Sequence, residues 1–329
     1  MRSRPWSMAF GLLLSLTLVA ACGGDDGGGD GTGTAAGESG AAAATDGEFP
    51  LTIEHRFGTT EIPEAPERVV AAGFNDADYA LAFGVVPVGV RDFIGTFDED
   101  ARPWAQEALA GATPVKVSDR DGVLDYEQIA GARPDLILAY SYLEEDEYET
   151  LSQIAPTVVE PNIGSLWEAH TRDVGRALGR SDRAEEIVAE VAQHFETTRA
   201  AHPEFEGVTL AIQFGVEPEA YYLLEPGDPR IGLFTSLGFV MPETTGEISR
   251  EQVELLDQEL LVVIGDEAAY EADDLLQGLD AVQEGRVVYL GGFETDVAGA
   301  LGFDSPLSLP YAVDQVAPLL AEALAAGTD

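Results

Sequence analysis

The stretch Tyr126-Glu127-Gln128-Ile129, whose continuation Asp135-Leu136-Ile137-Leu138-Ala139 begins six positions beyond Ile129, occurs a second time. Arg250-Glu251-Gln252-Val253 is followed at the same spacing, without a gap, by Glu259-Leu260-Leu261-Val262-Val263. In each copy a short helical turn leads to an acid and then a run of aliphatic residues, the pattern of a strand covered on both faces. Two copies of one helix-to-strand unit predict two lobes of related architecture. Each lobe then carries a glutamate, Glu127 or Glu251, at the same point of its unit.

Outward from these units the alternation continues. Leu51–Phe57 and Thr59–Ile62, divided by Gly58, read as a hairpin or a pair of edge strands. Arg68–Ala72 and Val85–Val90 read as buried strands around a helix over Asp76–Phe83 that stops at Gly84, and a helix over 144–154 precedes a strand at Thr157–Val159. In the second half, strands are expected at Val208–Phe214, Ala220–Leu224 and Arg286–Leu290, with helices over Arg230–Leu237 and Leu309–Leu324. Apolar strands joined by helical crossovers make the fold class α/β: two Rossmann-like lobes with mainly parallel sheets.

Between the lobes a helix over Ser165–Leu178 is closed by Gly179. Ala184, Ile187, Val188, Val191, Ala192 and Phe195 then repeat at helical spacing behind Ser181 as N-cap. That is one long α-helix from Ser181 to about His202, on the order of 30 Å at 1.5 Å per residue, and it joins the lobes as a stiff rod. The expected boundaries are 48–164 for the N-terminal lobe, 165–203 for the linking helices and 204–329 for the C-terminal lobe.

The 329 residues suit about two domains. Seventeen Lys+Arg against sixty Asp+Glu leave a formal net charge of −43, which repels phosphate backbones and excludes nucleic acid as a partner. The single cysteine, Cys22, excludes an intrachain disulfide, a CxxC redox site and a thiolate zinc cluster. It ends an N-terminal address: Arg2 and Arg4, the apolar run Met8–Ala21, and small residues at Val19-Ala20-Ala21. Residues 1–21 read as a cleaved signal peptide, and the junction resembles the bacterial lipobox, which makes Cys22 the lipidation site and the membrane anchor. Residues 22–47, mostly Gly, Ala, Asp and Thr, form a flexible tether spanning very roughly 25 Å.

His55–Pro63, Pro66–Val70, Phe83–Val90, Pro134–Leu138 and Ser249–Val253 resemble the substrate-binding lipoproteins of iron-siderophore importers of the ATP-binding-cassette type, within the ferrichrome- and cobalamin-binding-protein superfamily. In that superfamily one long helix joins two α/β lobes, and ligand lies in the shallow cleft between them. The resemblance implies a monomeric extracytoplasmic solute-binding protein that captures a ferric siderophore and delivers it to a permease dimer, with no cofactor, no metal ligand and no catalysis of its own. It also implies that Glu127 and Glu251 are the exposed carboxylates that meet arginines of the permease; the ordinary alternative is a solvated glutamate in a helix's first turn. A carrier of haem, cobalamin or a metal ion is the alternative on the same fold, and an anchored surface enzyme is the rival from another class.

A ferric siderophore already fills the coordination shell of its iron, so its site needs aromatic walls and a few cationic or hydrogen-bonding groups. In doubly wound sheets these gather on loops beyond the carboxyl ends of strands. That selects Phe74 and Asn75, then Arg91, then Tyr140 and Tyr142, and Phe293 after the strand ending at Leu290. Trp104 and, from the second lobe, Tyr221, Tyr222 and Arg230 complete the set. Each aromatic has packing at a sheet edge as its ordinary alternative, and each arginine a surface ion pair. His55, His170, His194 and His202 fall on separate elements without metal-ligand spacing. GxSxG, HExxH and Walker patterns are absent, and Glu144-Glu145 and Asp273-Asp274 read as solvated helix starts.

Overall fold

The computed structural model describes residues 47–92, 99–140, 143–162, 166–215 and 220–327. The expected signal peptide, Cys22, the expected tether up to residue 46 and Tyr142 lie outside the described residues. An antiparallel hairpin of β1 (Leu51–His55) and β2 (Gly58–Ile62) opens the described chain. Next come β3 (Val69–Ala71), α1 (Asp76–Ala82), β4 (Gly89–Val90), α2 (Gln106–Leu109), β5 (Val115–Lys116), α3 (Tyr126–Ala132), β6 (Leu136–Leu138), α4 (Glu145–Ser152) and β7 (Thr157–Val158). Their strands form one parallel sheet in the order β5-β4-β3-β6-β7.

Two helices follow, α5 (Trp167–Ala177) and α6 (Ser181–Ala201). The second sheet is built from β8 (Leu210–Phe214), β9 (Ala220–Leu223), then, beyond α7 (Pro229–Ser236), β10 (Gly246–Ser249) and β11 (Leu260–Ile264). After α8 (Glu267–Glu271) and α9 (Asp280–Gln283), β12 (Val287–Gly291) ends it, and α10 (Asp296–Phe303) and α11 (Ser308–Ala326) close the chain. Its order is β10-β9-β8-β11-β12. In both lobes the first strand of the sheet is central, the fourth lies beside it and the fifth is at the edge. The two copies of the repeated unit, α3 into β6 and Arg250–Leu256 into β11, therefore occupy equivalent places.

The lobes also differ. In the second sheet β9 runs antiparallel to both neighbours, so β10 again points the same way as β8. The turn before β11 is a 3₁₀ segment in which Gln252 leaves helical backbone, at φ −107° and ψ 20°, rather than the helix expected from the repeat. β4 is two residues long instead of six, because Pro87 has no N–H to give the ladder and Val85 donates back to the Ala80 carbonyl of α1.

Alternation along the strands feeds two cores per lobe. Val69, Leu136, Leu138 and Val158 pack on one face of the first sheet, and Val70, Ile137, Ala139 and Val159 on the other. In the second sheet Ile212, Val262, Ile264 and Val288 face one side, while Ala211, Leu261 and Val263 face the other. The rod α6 belongs to both lobes: Ala184 and Ile187 are buried in the first core, Val191 and Phe195 in the second. Each large apolar side chain so buried contributes about 1.5–3 kcal/mol. Ala192, expected on the apolar stripe, is exposed, and the cap falls one residue earlier than expected: Arg180 stands at the N-cap and Ser181 is the first helical residue. Gly175 lets α5 lie against α6, since a Cβ there would come within 2.6 Å of the Ala184 Cβ. No helix among the described residues is long and apolar enough to cross a membrane.

Candidate functional site

Beyond the carboxyl end of β3, the turn Gly73-Phe74-Asn75 is fixed by the fully buried Asp76. One carboxylate oxygen accepts from the Gly73 N–H (2.8 Å) and the Tyr140 N–H (3.0 Å), tying this turn to the end of β6. The other lies 3.3 Å from His170 Nε2, and the imidazole is stacked between the rings of Tyr79 (3.6 Å) and Tyr140 (4.4 Å). On this support the half-buried Phe74 ring faces the Arg91 guanidinium at 3.9 Å. Arg91 donates through Nε and Nη2 to the Gly122 carbonyl and through Nη1 to the Ala72 carbonyl. Burial lowers the pKa of this guanidinium, and Glu147, Asp76 and Tyr126 draw it back up; an arginine so placed stays charged.

The second lobe builds a counterpart. Asp228 caps α7 and grips Arg230 with both carboxylate oxygens, Nε to Oδ1 at 2.7 Å and Nη2 to Oδ2. The guanidinium lies over the rings of Phe214 (4.7 Å) and Phe293 (5.6 Å), whose centroids are 5.5 Å apart. Phe214, which the sequence reading did not select, is the last residue of β8; its signal was its place at a strand's carboxyl end. Tyr222 is half-buried and donates to Glu225 (2.9 Å).

Three aromatics selected from sequence are buried. Trp104 is 9 % exposed, donates from Nε1 to Asp78 (2.7 Å), and packs against Phe303 and Tyr311 of the other lobe. Tyr140 is buried against His170. Tyr221 alternates with Tyr222 along β9 and so points inward, 1 % exposed, with its hydroxyl on Asp273 (3.1 Å). Burial, then Asp273, raises its pKa to about 12. Asn75 is spent at the joint between the lobes, its amide donating to the Phe303 carbonyl (2.8 Å). The same joint holds Asp78, fully buried, between Arg102 (3.2 Å), Trp104 Nε1 and Ser305 Oγ (2.9 Å), while the Tyr79 hydroxyl donates to the Asp304 carbonyl (2.7 Å).

Glu127 and Glu251 are both exposed and both second in their turns. Asp125 caps the first, accepting from the N–H groups of Glu127 and Gln128 at 3.0 Å. The second is braced by Arg250, bidentate on Asp273 at 2.6 and 2.9 Å. Asp273 is 8 % exposed, not the solvated helix start expected from sequence. Asp125 bonds to Val117 beyond β5, and Ser249 ends β10, so both glutamates stand at the carboxyl edges of their sheets. Among the described residues no group of three or more His, Cys, Asp or Glu side chains is arranged to hold a metal ion.

The chain as a whole is similar to proteins of known class. The periplasmic binding protein family matches residues 88–292. A probable siderophore-binding lipoprotein of Bacillus subtilis, YfiY, is 24 % identical over 75 % of this chain and 70 % of its own length. The crystal structure of a periplasmic solute binding protein from Mycobacterium smegmatis superposes with a TM-score of 0.76 at 32 % identity, covering 83 % of this chain and 98 % of the other. PiaA of Streptococcus pneumoniae in complex with ferrichrome gives a TM-score of 0.73 at 27 % identity, over 84 % and 99 % of the two chains. With two lobes on one helical rod and a family match across most of both, this chain belongs to the periplasmic binding protein family.

Proposed function

We propose that this protein is an extracytoplasmic solute-binding lipoprotein that captures a ferric siderophore between its two lobes and hands it to an importer powered by ATP. The observation that carries the reading is the pair of clusters at the carboxyl edges of the sheets, Arg91 on Phe74 in one lobe and Arg230 on Phe214 and Phe293 in the other. Each offers an aromatic face with a cation fixed against it, which suits a bulky chelate whose iron needs no ligand from the protein. The names of the relatives, a siderophore-binding lipoprotein and a ferrichrome-bound importer component, support the same reading. Tyr222 borders the second cluster, and Trp104, Tyr140 and Tyr221 act through the support they give.

In this reading Glu127 and Glu251 are the docking carboxylates, one per lobe, for a two-subunit permease. Exposed ion pairs contribute only about 0–1 kcal/mol each, so they set orientation and encounter more than affinity. Cys22 carries the lipid, and the tether that follows it lets the lobes reach the permease from the membrane surface.

Titration with ferric chelates, followed by fluorescence of Trp104 and Trp167, tests the reading. Saturable quenching by a ferric hydroxamate, carboxylate or catecholate chelate, with none from a ferric salt alone, is the expected result. Quenching by haem or cobalamin only would move the protein to another carrier class, and steady turnover of the chelate would make it an enzyme.

A further inference from the structure

In a chain of net charge −43, an arginine is expected to find an acid or a carbonyl, and nearly all do. Among the described residues two arginine side chains, Arg120 and Arg133, make no hydrogen bond or ion pair, and both are exposed. They lie at opposite ends of one sheet. Arg133 follows α3, next to the amino ends of β3 and β6, where Asp135 N–H meets the Arg68 carbonyl. Arg120 stands beyond the carboxyl end of β5, the edge that carries Phe74 and Arg91.

The segment that presents Arg120 is rigidly built. Gly122 N–H closes a turn on the Asp119 carbonyl (3.0 Å), at a φ of +80° that favours glycine, and Asp119 N–H bonds to the Val123 carbonyl (3.1 Å). The Asp119 carboxylate is used inside the turn, accepting from the N–H groups of Asp121 (3.0 Å) and Val123 (2.9 Å). Ser118 and Leu124 bridge its base, and Asp92 N–H donates to Ser118 Oγ (2.8 Å). Arg91 grips the Gly122 carbonyl from below with two donors while its face lies on Phe74. Ordering this turn leaves the Arg120 guanidinium exposed, with its donors unspent, beyond the same sheet edge as Phe74 and Arg91.

We propose that Arg120 is a specificity-determining residue that pairs with an anionic group of the ferric chelate, a carboxylate or catecholate oxygen, and that Arg91 is its positioning residue. The inference rests on the siderophore-binding reading above. A chain this acidic repels an anionic chelate as a whole, so discrimination in its favour requires a local cation within a few ångströms, where screening is weak and the hydrogen bonds are charge-assisted.

The test is titration of wild type, Arg120→Gln, Arg133→Gln, Arg91→Ala, Arg91→Lys and the Arg91→Ala/Arg120→Gln double variant with ferric dicitrate, a ferric tricatecholate and a neutral ferric trihydroxamate. Arg120→Gln should weaken the anionic chelates about tenfold and leave the neutral one within about twofold, since a charge-assisted contact is lost. Arg133→Gln, the same chemistry on the opposite edge, should change nothing. Arg91→Ala should weaken anionic binding alone but add less than about twofold on top of Arg120→Gln. Arg91→Lys, which keeps the charge and the fold but not the fork, should behave likewise. Equal effects of Arg120→Gln on all chelates, or none, overturn the assignment, as does a wild type that binds only the neutral chelate. Fully additive effects would mean that Arg91 acts on the chelate independently of Arg120 and end its positioning role. A wild type that binds none of the three fails the underlying reading instead.

Discussion

The two lobes set the same parts at the same places and hold them by different means. Each puts an arginine on an aromatic face and a glutamate on the turn leading to its fourth strand. In the first lobe the arginine is fixed by carbonyls and the glutamate by an aspartate cap. In the second, carboxylates do both: Asp228 grips Arg230, and Asp273 grips the Arg250 that precedes Glu251. Position in the sheet is common to the lobes, while the bonds that enforce it are local and have been solved twice. The difference teaches which residues carry position and which carry stability.

The largest effect should come where the lobes are alike. Reversing Glu127 and Glu251 together to lysine should abolish chelate uptake by cells and leave chelate affinity unchanged, because both side chains are exposed and neither belongs to the arginine–aromatic clusters. Each single reversal should reduce uptake to a similar extent. Undiminished uptake in the double variant would end the docking assignment, and one dominant single variant would break the equivalence of the lobes.

Where the lobes differ, stability should separate them. Asp273→Ala removes the acceptor of two Arg250 bonds, the Tyr221 hydroxyl and the Leu275 N–H. The loss comes mainly from the buried Tyr221 hydroxyl left without its acceptor, about 2–3 kcal/mol. Asp125→Ala, the counterpart in the first lobe, removes only an exposed cap and should cost about 1 kcal/mol. Urea unfolding of both variants measures the gap; equal losses would mean that the two turns are held alike after all.

Much of this was legible in the sequence. The repeated unit, the buried strands, the rod and the matched places of Glu127 and Glu251 all follow from local pattern, and local pattern is what periodicity reports. The antiparallel β9 was not legible, since strand direction depends on pairing partners far away in the chain. Nor was the fate of the aromatics: Trp104 and Tyr221 look alike in sequence to Phe74 and Phe293, and only the joint with Tyr311 and the alternation along β9 send them inward. Asp273 read as solvent-facing because its partner, Arg250, lies on a different turn of the same lobe. Phe74, Arg91 and Phe293 lie at the carboxyl edges of their sheets as expected, because the sheet itself sets those ends.

The smallest expected effect contrasts Asp273 with another acid of the second lobe. Burial alone would push the Asp273 carboxyl up, but bonds from Arg250, the Leu275 N–H and Tyr221 outweigh it and hold the pKa below the ordinary range. Asp304 at the lobe joint has no such help: among the described residues its carboxylate accepts no hydrogen bond, and it lines a small cavity of about 60 Å³ together with Glu168, Phe195 and Leu309. Burial first, then Glu168 and Asp228, raises its pKa from 3.8 to about 7. The folded chain therefore keeps a proton there that the unfolded chain releases near pH 4. The stability this gives is fully present below about pH 4 and is lost as pH rises through about 7, the reverse of Asp273, whose contribution is present at neutral pH and lost in acid. Asp304→Asn keeps the shape, tolerates the left-handed backbone at φ 43° and never ionises. Its stability relative to wild type should rise from no gain below about pH 4 to the full gain above about pH 7. Parallel stability-versus-pH curves for the two proteins would show that the joint does not sense this charge.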